Sequence, residues 1–71
     1  MDIRIIIRLH EFLLSERTGT PKELAAKLGI SERSVYNYIA FMKAEMNAPI
    51  IYDFQKGNYS YSRTCDLHFE G

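Results

Sequence analysis

The 71-residue chain has no excess of charge of either sign, because nine lysine and arginine residues balance nine aspartate and glutamate residues. Nucleic-acid-binding domains often have a pI above about 9. Long-range attraction to phosphate is therefore weak here, and any affinity for it must come from a few well-placed cations. The single cysteine, Cys65, cannot form an internal disulfide. A lone thiol is typical of a reducing compartment, which indicates a cytoplasmic protein.

Long apolar runs are also missing. Residues 1–14 are apolar overall, but Asp2, Arg4 and Arg8 interrupt them and no small-residue cleavage site follows, which argues against a signal peptide. We find no transmembrane segment, repeat or low-complexity tract. The length suits one domain over residues 1–71 that buries only about 60% of its unfolded surface, and such small chains often gain stability by self-association.

Residues that support catalysis or metal binding occur singly. Neither His10 nor His68 has a cysteine, histidine or carboxylate neighbour at ligand spacing, and nothing near Cys65 would activate its thiol. No glycine-rich phosphate loop is present. The sequence therefore predicts no enzyme activity, no metal, no cofactor, no membrane partner and no evident small-molecule ligand.

Residues 20–46 have the pattern of a helix-turn-helix. Thr20, with a proline after it and Glu23 three residues on, forms a capping box. Gly29 suits the positive φ of a helix C-terminus, and Ser31 caps a second helix. Apolar residues recur at helical spacing: Leu24, Ala25, Leu28, Val35, Ile39, Met42 and Met46. Helices joined by so short a turn cross steeply, which leaves one face of the second free to enter a major groove.

A first helix is predicted over about residues 2–16. Its apolar arc spans about 220°, wider than the stripe of roughly 100° that one core contact needs. One side of this arc carries four residues that we expect at a dimer interface: Ile3, Ile7, His10 and Leu14. The competing expectation is that Leu67 and Phe69, in a tail over residues 64–71, cover the arc within one chain. That tail is predicted as a third strand or an ordered segment.

Period-two alternation around a Gly-Asn turn predicts a β-hairpin near residues 50–54 and 59–63. We expect Phe54 to pair with Tyr59 and Tyr52 with Tyr61, so that all four share one face with Ile50. A hairpin directly after the second helix of a helix-turn-helix is a wing. The fold class is α+β, mainly α, a three-helix winged helix-turn-helix with a C-terminal hairpin wing.

The pattern resembles the winged helix-turn-helix domain of DeoR-type regulators and biotin-ligase repressors, which carry a segment like KELAxxLGxSxRTVxRDI and a hairpin of the form API-x-YD…GGY-x-L. The matching segments in this chain are Lys22–Ala25, Leu28–Ser31, Arg33–Val35, Ala48–Ile50, Tyr52–Asp53 and Gly57–Tyr59. The resemblance covers about residues 3–61 and implies binding to double-stranded DNA. Tyr36 and Asn37 replace the usual paired arginines, and Tyr38 replaces the usual aspartate. Base preference therefore does not transfer, and nothing matches the family's large effector or catalytic domain.

The second helix presents side chains that suit base recognition. Asn37 can bridge adenine, Arg33 can bridge guanine, and Ser34 can reach a phosphate. A helix N-terminus at Thr20 also favours phosphate. The full set of predicted DNA-binding residues is Thr20, Lys22, Ser31, Arg33, Ser34, Tyr36, Asn37 and Lys56. The plainer interpretation is a solvated helix surface, a tyrosine that flanks the core and an ordinary turn lysine.

Two classes of function follow. The first is sequence-specific double-stranded DNA binding by a small bacterial-type transcription regulator, which reads the major groove with residues 32–46. The alternative is a winged-helix module that binds protein through the first helix and the aromatic hairpin. The capped helix-turn-helix favours DNA, whereas the neutral charge favours a protein partner.

Overall fold

A computed structural model of the chain describes residues 2–62. Its elements, in chain order, are α1 (Ile3–Ser15), α2 (Pro21–Leu28), α3 (Glu32–Glu45), β1 (Ile50–Asp53) and β2 (Asn58–Tyr61). The two strands form one antiparallel hairpin. The winged arrangement of three helices and a hairpin is confirmed. The predicted tail over residues 64–71, with its possible third strand, lies outside the described residues.

Local interactions set the helix ends. The Asp2 carboxylate caps α1 by accepting from the Arg4 N–H at 2.9 Å. Thr20 and Glu23 form the predicted capping box, since the Thr20 hydroxyl accepts from the Glu23 N–H and the Glu23 carboxylate accepts from the Thr20 N–H. Gly29 ends α2 at φ 70°, and Ser31 caps α3. The capping residues predicted for α2 and α3 are therefore confirmed.

One apolar core joins the three helices to the hairpin. Its buried members are Ile6, Leu9, Leu13, Leu24, Ala25, Leu28, Val35, Ile39, Met42, Ala48 and Ile50. Only three residues of α1 are fully buried, so the buried stripe is much narrower than the apolar arc of that helix. Ile3 and Leu14, near the two ends of α1, remain about half exposed, at 52% and 55%.

The predicted hairpin register is wrong by two residues. Tyr52 pairs with Tyr59, and Phe54 pairs with no residue because β1 ends at Asp53. The Asp53 carboxylate accepts from the N–H groups of residues 55 and 56, and its carbonyl accepts from Gly57 N–H at 2.7 Å, which closes a turn one residue earlier than expected. A shift of two residues keeps the same side chains on the same face.

The wing is fastened to the loop between α1 and α2. Thr18, which is fully buried, donates its hydroxyl to the Tyr59 carbonyl at 2.9 Å and accepts from the Tyr59 N–H at 2.7 Å. The Asn58 side chain donates to the Glu16 carbonyl at 3.3 Å. These bonds fix the wing relative to the helices.

Candidate nucleic-acid interface

The turn between α2 and α3 is short and is closed by backbone hydrogen bonds at the end of α2. Gly29 N–H donates to the Ala26 carbonyl at 3.3 Å, and Ile30 N–H donates to the Ala25 carbonyl at 3.0 Å. Ile30 packs against the core, as expected for the residue that fills the gap between such helices. The α2–α3 pair therefore has the tight glycine turn of a helix-turn-helix.

The two sides of α3 differ in burial. Val35, Ile39 and Met42 are buried, whereas Arg33 and Asn37 are exposed one helical turn apart on the other side. Tyr36 is 49% exposed. The first half of α3 thus presents a cation, an amide and a phenol to solvent without removing any side chain from the core.

Ser31 and Ser34 act as a pair at the start of α3. The Ser31 hydroxyl accepts from the Ser34 N–H at 3.1 Å and donates to the Ser34 hydroxyl oxygen at 2.9 Å. The Ser31 hydroxyl thus acts as both donor and acceptor within the pair, and the hydrogen of the Ser34 hydroxyl remains able to donate to another molecule. Of the two predicted serines, Ser34 is therefore the one oriented by its neighbour to donate to an acceptor.

The start of α2 is less suited to phosphate than the sequence indicates. The Glu23 carboxylate accepts from the Thr20 N–H at 3.1 Å, which places a negative charge at the helix end. The same bond lowers the pKa of Glu23, so this charge persists at neutral pH. A phosphate near Thr20 would be repelled by that carboxylate, although the exposed Lys22 beside it would offset part of the repulsion.

The tip of the wing carries Lys56, which is exposed in the turn ordered by Asp53. Phe54 lies in the same turn and is 88% exposed, the most exposed large apolar side chain in the described part of the chain. Sequence reasoning placed Phe54 inside the hairpin and so missed this exposure. The signal that could have located it is the Asp-x-x-x-Gly spacing of Asp53 and Gly57, since aspartate often caps the amides of a following turn.

The four residues expected at a dimer interface lie along one side of α1 but differ in environment. Ile3 and Leu14 are exposed, and Ile7 is half-buried. His10 is also half-buried, and its Nδ1 lies 2.6 Å from the Tyr61 hydroxyl, which links α1 to β2. Three of the four residues, Ile3, Ile7 and Leu14, therefore form what we call the apolar patch. The fourth, His10, contacts Tyr61 within the same chain.

Few of the charged side chains in the described part of the chain pair with one another. The only ion pair within residues 2–62 joins Arg4 to Asp2 at 3.2 Å.

In the same range, no three histidine, cysteine, aspartate or glutamate side chains gather as a metal site would require. None of the described helices has the length and apolar character needed to cross a membrane.

Comparison with known proteins supplies an independent assignment. The model of a family described as an HTH domain matches residues 6–57, which include all of α2, α3 and β1. A comparison with curated proteins and another with solved structures each returned no significant match. The chain therefore belongs to the helix-turn-helix domain family, and it is a DNA-binding domain of that class.

Proposed function

We propose that the protein is a small bacterial-type transcription regulator that binds double-stranded DNA sequence-specifically and reads the major groove with α3. The observation that carries the proposal is the division of α3 into a buried side and an exposed side that bears Arg33 and Asn37. Arginine recognises guanine, asparagine recognises adenine, and Ser34 donates to a phosphate.

Lys22, Arg33 and Lys56 supply the attraction to phosphate. All three are exposed, and none belongs to an ion pair within residues 2–62. They lie at the start of α2, at the start of α3 and in the wing turn. A neutral chain thus retains free cations on the elements that bind DNA in winged domains, consistent with the resemblance to DeoR-type regulators and biotin-ligase repressors.

Binding-site selection from random duplexes at two salt concentrations tests the proposal. Arg33→Ala should cost about 1–3 kcal/mol on a selected site and relax preference at one base pair. Lys56→Ala should weaken selected and random duplexes alike and reduce the salt slope by about one. Arg4→Ala is the matched control, because it removes a cation that Asp2 already neutralises.

The selection can also reject the proposal. If selected duplexes bind no better than random ones at moderate salt, reading by α3 is wrong. The exposed Phe54 and the apolar patch on α1 then favour the alternative, a winged-helix module that binds protein.

We further propose that the regulator acts as a homodimer in the cytoplasm. The apolar patch on α1 supports the dimer, because Ile3 and Leu14 are each more than half exposed and soluble monomers rarely keep large apolar patches. Two copies of α3 one DNA turn apart would add their contacts on a palindromic site. The single Cys65 supports a reducing compartment.

Mass measurement over a range of concentrations tests the dimer. We expect twice the chain mass of 8.3 kDa, and we expect Leu14→Lys to give a monomer because it places a charge in the patch. A wild-type chain that stays monomeric at every concentration contradicts the proposal.

A further inference from the structure

A cavity of about 440 Å³ opens between the start of α2, the start of α3 and the wing. Its lining residues are Pro21, Glu32, Tyr36, Tyr52, Phe54 and Tyr59. Four of the six are aromatic, one is acidic and none is basic. Such a lining is complementary to a ligand that is both apolar and positively charged.

The aromatic rings form walls that meet at steep angles. The Tyr52 ring lies 4.8 Å from the Tyr59 ring at an angle of 68° and 5.0 Å from the Phe54 ring at 76°, measured between centroids and planes. Tyr36 contributes from α3 and is 49% exposed, and Phe54 is 88% exposed. Ring surface therefore remains accessible to a ligand from both sides of the cavity.

The one charged residue in the lining can serve as the counter-charge for a cation. The Glu32 carboxylate takes part in no hydrogen bond or ion pair with another side chain in residues 2–62, so no side chain there neutralises its charge. Burial raises the pKa of Tyr59, and the neighbouring Tyr36, Tyr52 and Glu32 raise it further by charge repulsion. The lining therefore disfavours a negative charge on the Tyr59 phenol.

We propose that this cavity binds a small organic cation through its methylated or quaternary ammonium group. The negative faces of the aromatic rings attract such a cation, and Glu32 supplies the counter-charge. Methyl groups on the nitrogen gain from contact with the rings, and they leave the cation more weakly hydrated than a primary ammonium and so easier to move out of water. The inference goes beyond DNA recognition and does not rest on it.

An NMR titration of the full chain without DNA tests the proposal. The probes are choline and 3,3-dimethyl-1-butanol, which has nearly the same shape but no charge. Choline should shift the resonances of the lining residues saturably and bind at least about tenfold more tightly than the alcohol. The ammonium group could belong to a free small molecule or to a methylated side chain of a partner protein, and a short peptide with one trimethyllysine distinguishes these two sources. Tighter binding of the peptide than of choline indicates a partner's side chain, and weaker binding indicates a free small molecule.

Matched variants assign the effect to the cavity. Glu32→Gln should weaken choline binding about fivefold, whereas Glu45→Gln, with the same charge change at the other end of α3, should not. Phe54→Leu should also weaken binding, and Ile51→Ala, an exposed apolar residue elsewhere on the wing, should not. Equal binding of choline and the alcohol, or wild-type affinity in both Glu32→Gln and Phe54→Leu, overturns the proposal.

Discussion

Replacing Thr18 by valine should destabilise the domain more than its position in a loop indicates. Valine has nearly the shape of threonine, so it fills the same buried space but can neither donate nor accept a hydrogen bond. The change would remove both bonds between the loop and Tyr59, at 2.7 and 2.9 Å. The variant therefore measures the contribution of these two hydrogen bonds separately from that of the packing around Thr18.

The magnitude follows from where the backbone groups of Tyr59 point. Antiparallel pairs alternate between hydrogen-bonded and non-hydrogen-bonded, and Ser62 N–H donates to the Pro49 carbonyl at 2.7 Å. Counting along β2 from that bonded pair makes Tyr52 and Tyr59 a non-hydrogen-bonded pair, so the Tyr59 N–H and carbonyl face the loop. Each unsatisfied buried group costs about 1–3 kcal/mol, so the two together should lower the free energy of unfolding by about 2–6 kcal/mol.

Urea unfolding followed by circular dichroism measures this loss. Thr18→Ser is the control, because serine keeps both hydrogen bonds and loses only a methyl group, worth about 1 kcal/mol. For a domain of this size each kcal/mol shifts Tm by roughly 4–8 °C, so the valine variant should melt well below the serine variant. If valine is as stable as serine, the bonds to Tyr59 do not hold the wing.

Two further predictions concern the ends of α2. Gly29→Ala should cost about 1–2 kcal/mol from its positive φ alone, because an added Cβ would meet nothing within 4 Å. Gly19→Ala should cost more, because its Cβ would also lie 3.2 Å from the Glu23 side chain. Urea unfolding of both variants ranks the two losses of stability, and equal losses would contradict the reasoning. The backbone hydrogen bond lowers the pKa of Glu23 in the folded state below the ordinary 4.5. The contribution of the Glu23 carboxylate to the stability of the fold is therefore present above pH 4.5 and is lost as pH falls through the folded pKa. Thermal unfolding from pH 7 to pH 2 should show a smaller acid loss in Glu23→Gln than in wild type, and identical profiles would rule out this role.

The helices could be predicted closely because their ends depend on neighbours in the chain. Thr20, Gly29 and Ser31 act on residues within five positions of themselves, so a local pattern contains all the information needed. The burial of α1 was less predictable. The sequence shows how wide its apolar arc is, but the residues that cover each part of it come from elsewhere in the chain.

The wing shows where local patterns fail. Alternation identifies two strands but is unchanged by a shift of two residues, so it could not exclude pairing of Phe54 with Tyr59. The turn at Asp53 decided the register and left Phe54 exposed. The contact between Thr18 and Tyr59 spans 41 positions, and no periodicity in the sequence records it. The cavity between α3 and the wing depends on both features, which explains why the sequence did not reveal it.

Net charge counts cations without regard to whether the fold already uses them. Arg4 is paired with Asp2, Arg8 donates to the Lys27 carbonyl at 2.7 Å, and Lys27 donates to the Arg17 carbonyl at 2.7 Å. Arg4 is thus engaged at the start of α1, Arg8 links α1 to the end of α2, and Lys27 links α2 to the loop before it.

The exposed Lys22, Arg33 and Lys56 have no such role among residues 2–62. If each contacts one phosphate, the logarithm of the affinity should fall with the logarithm of salt at a slope of about −2.7 per chain, or about −5 for a dimer, since each contact adds about −0.9. A binding isotherm at four salt concentrations measures the slope. A slope much steeper than about −5 would show that cations other than these three also contact DNA, and a slope near zero would show that these three do not.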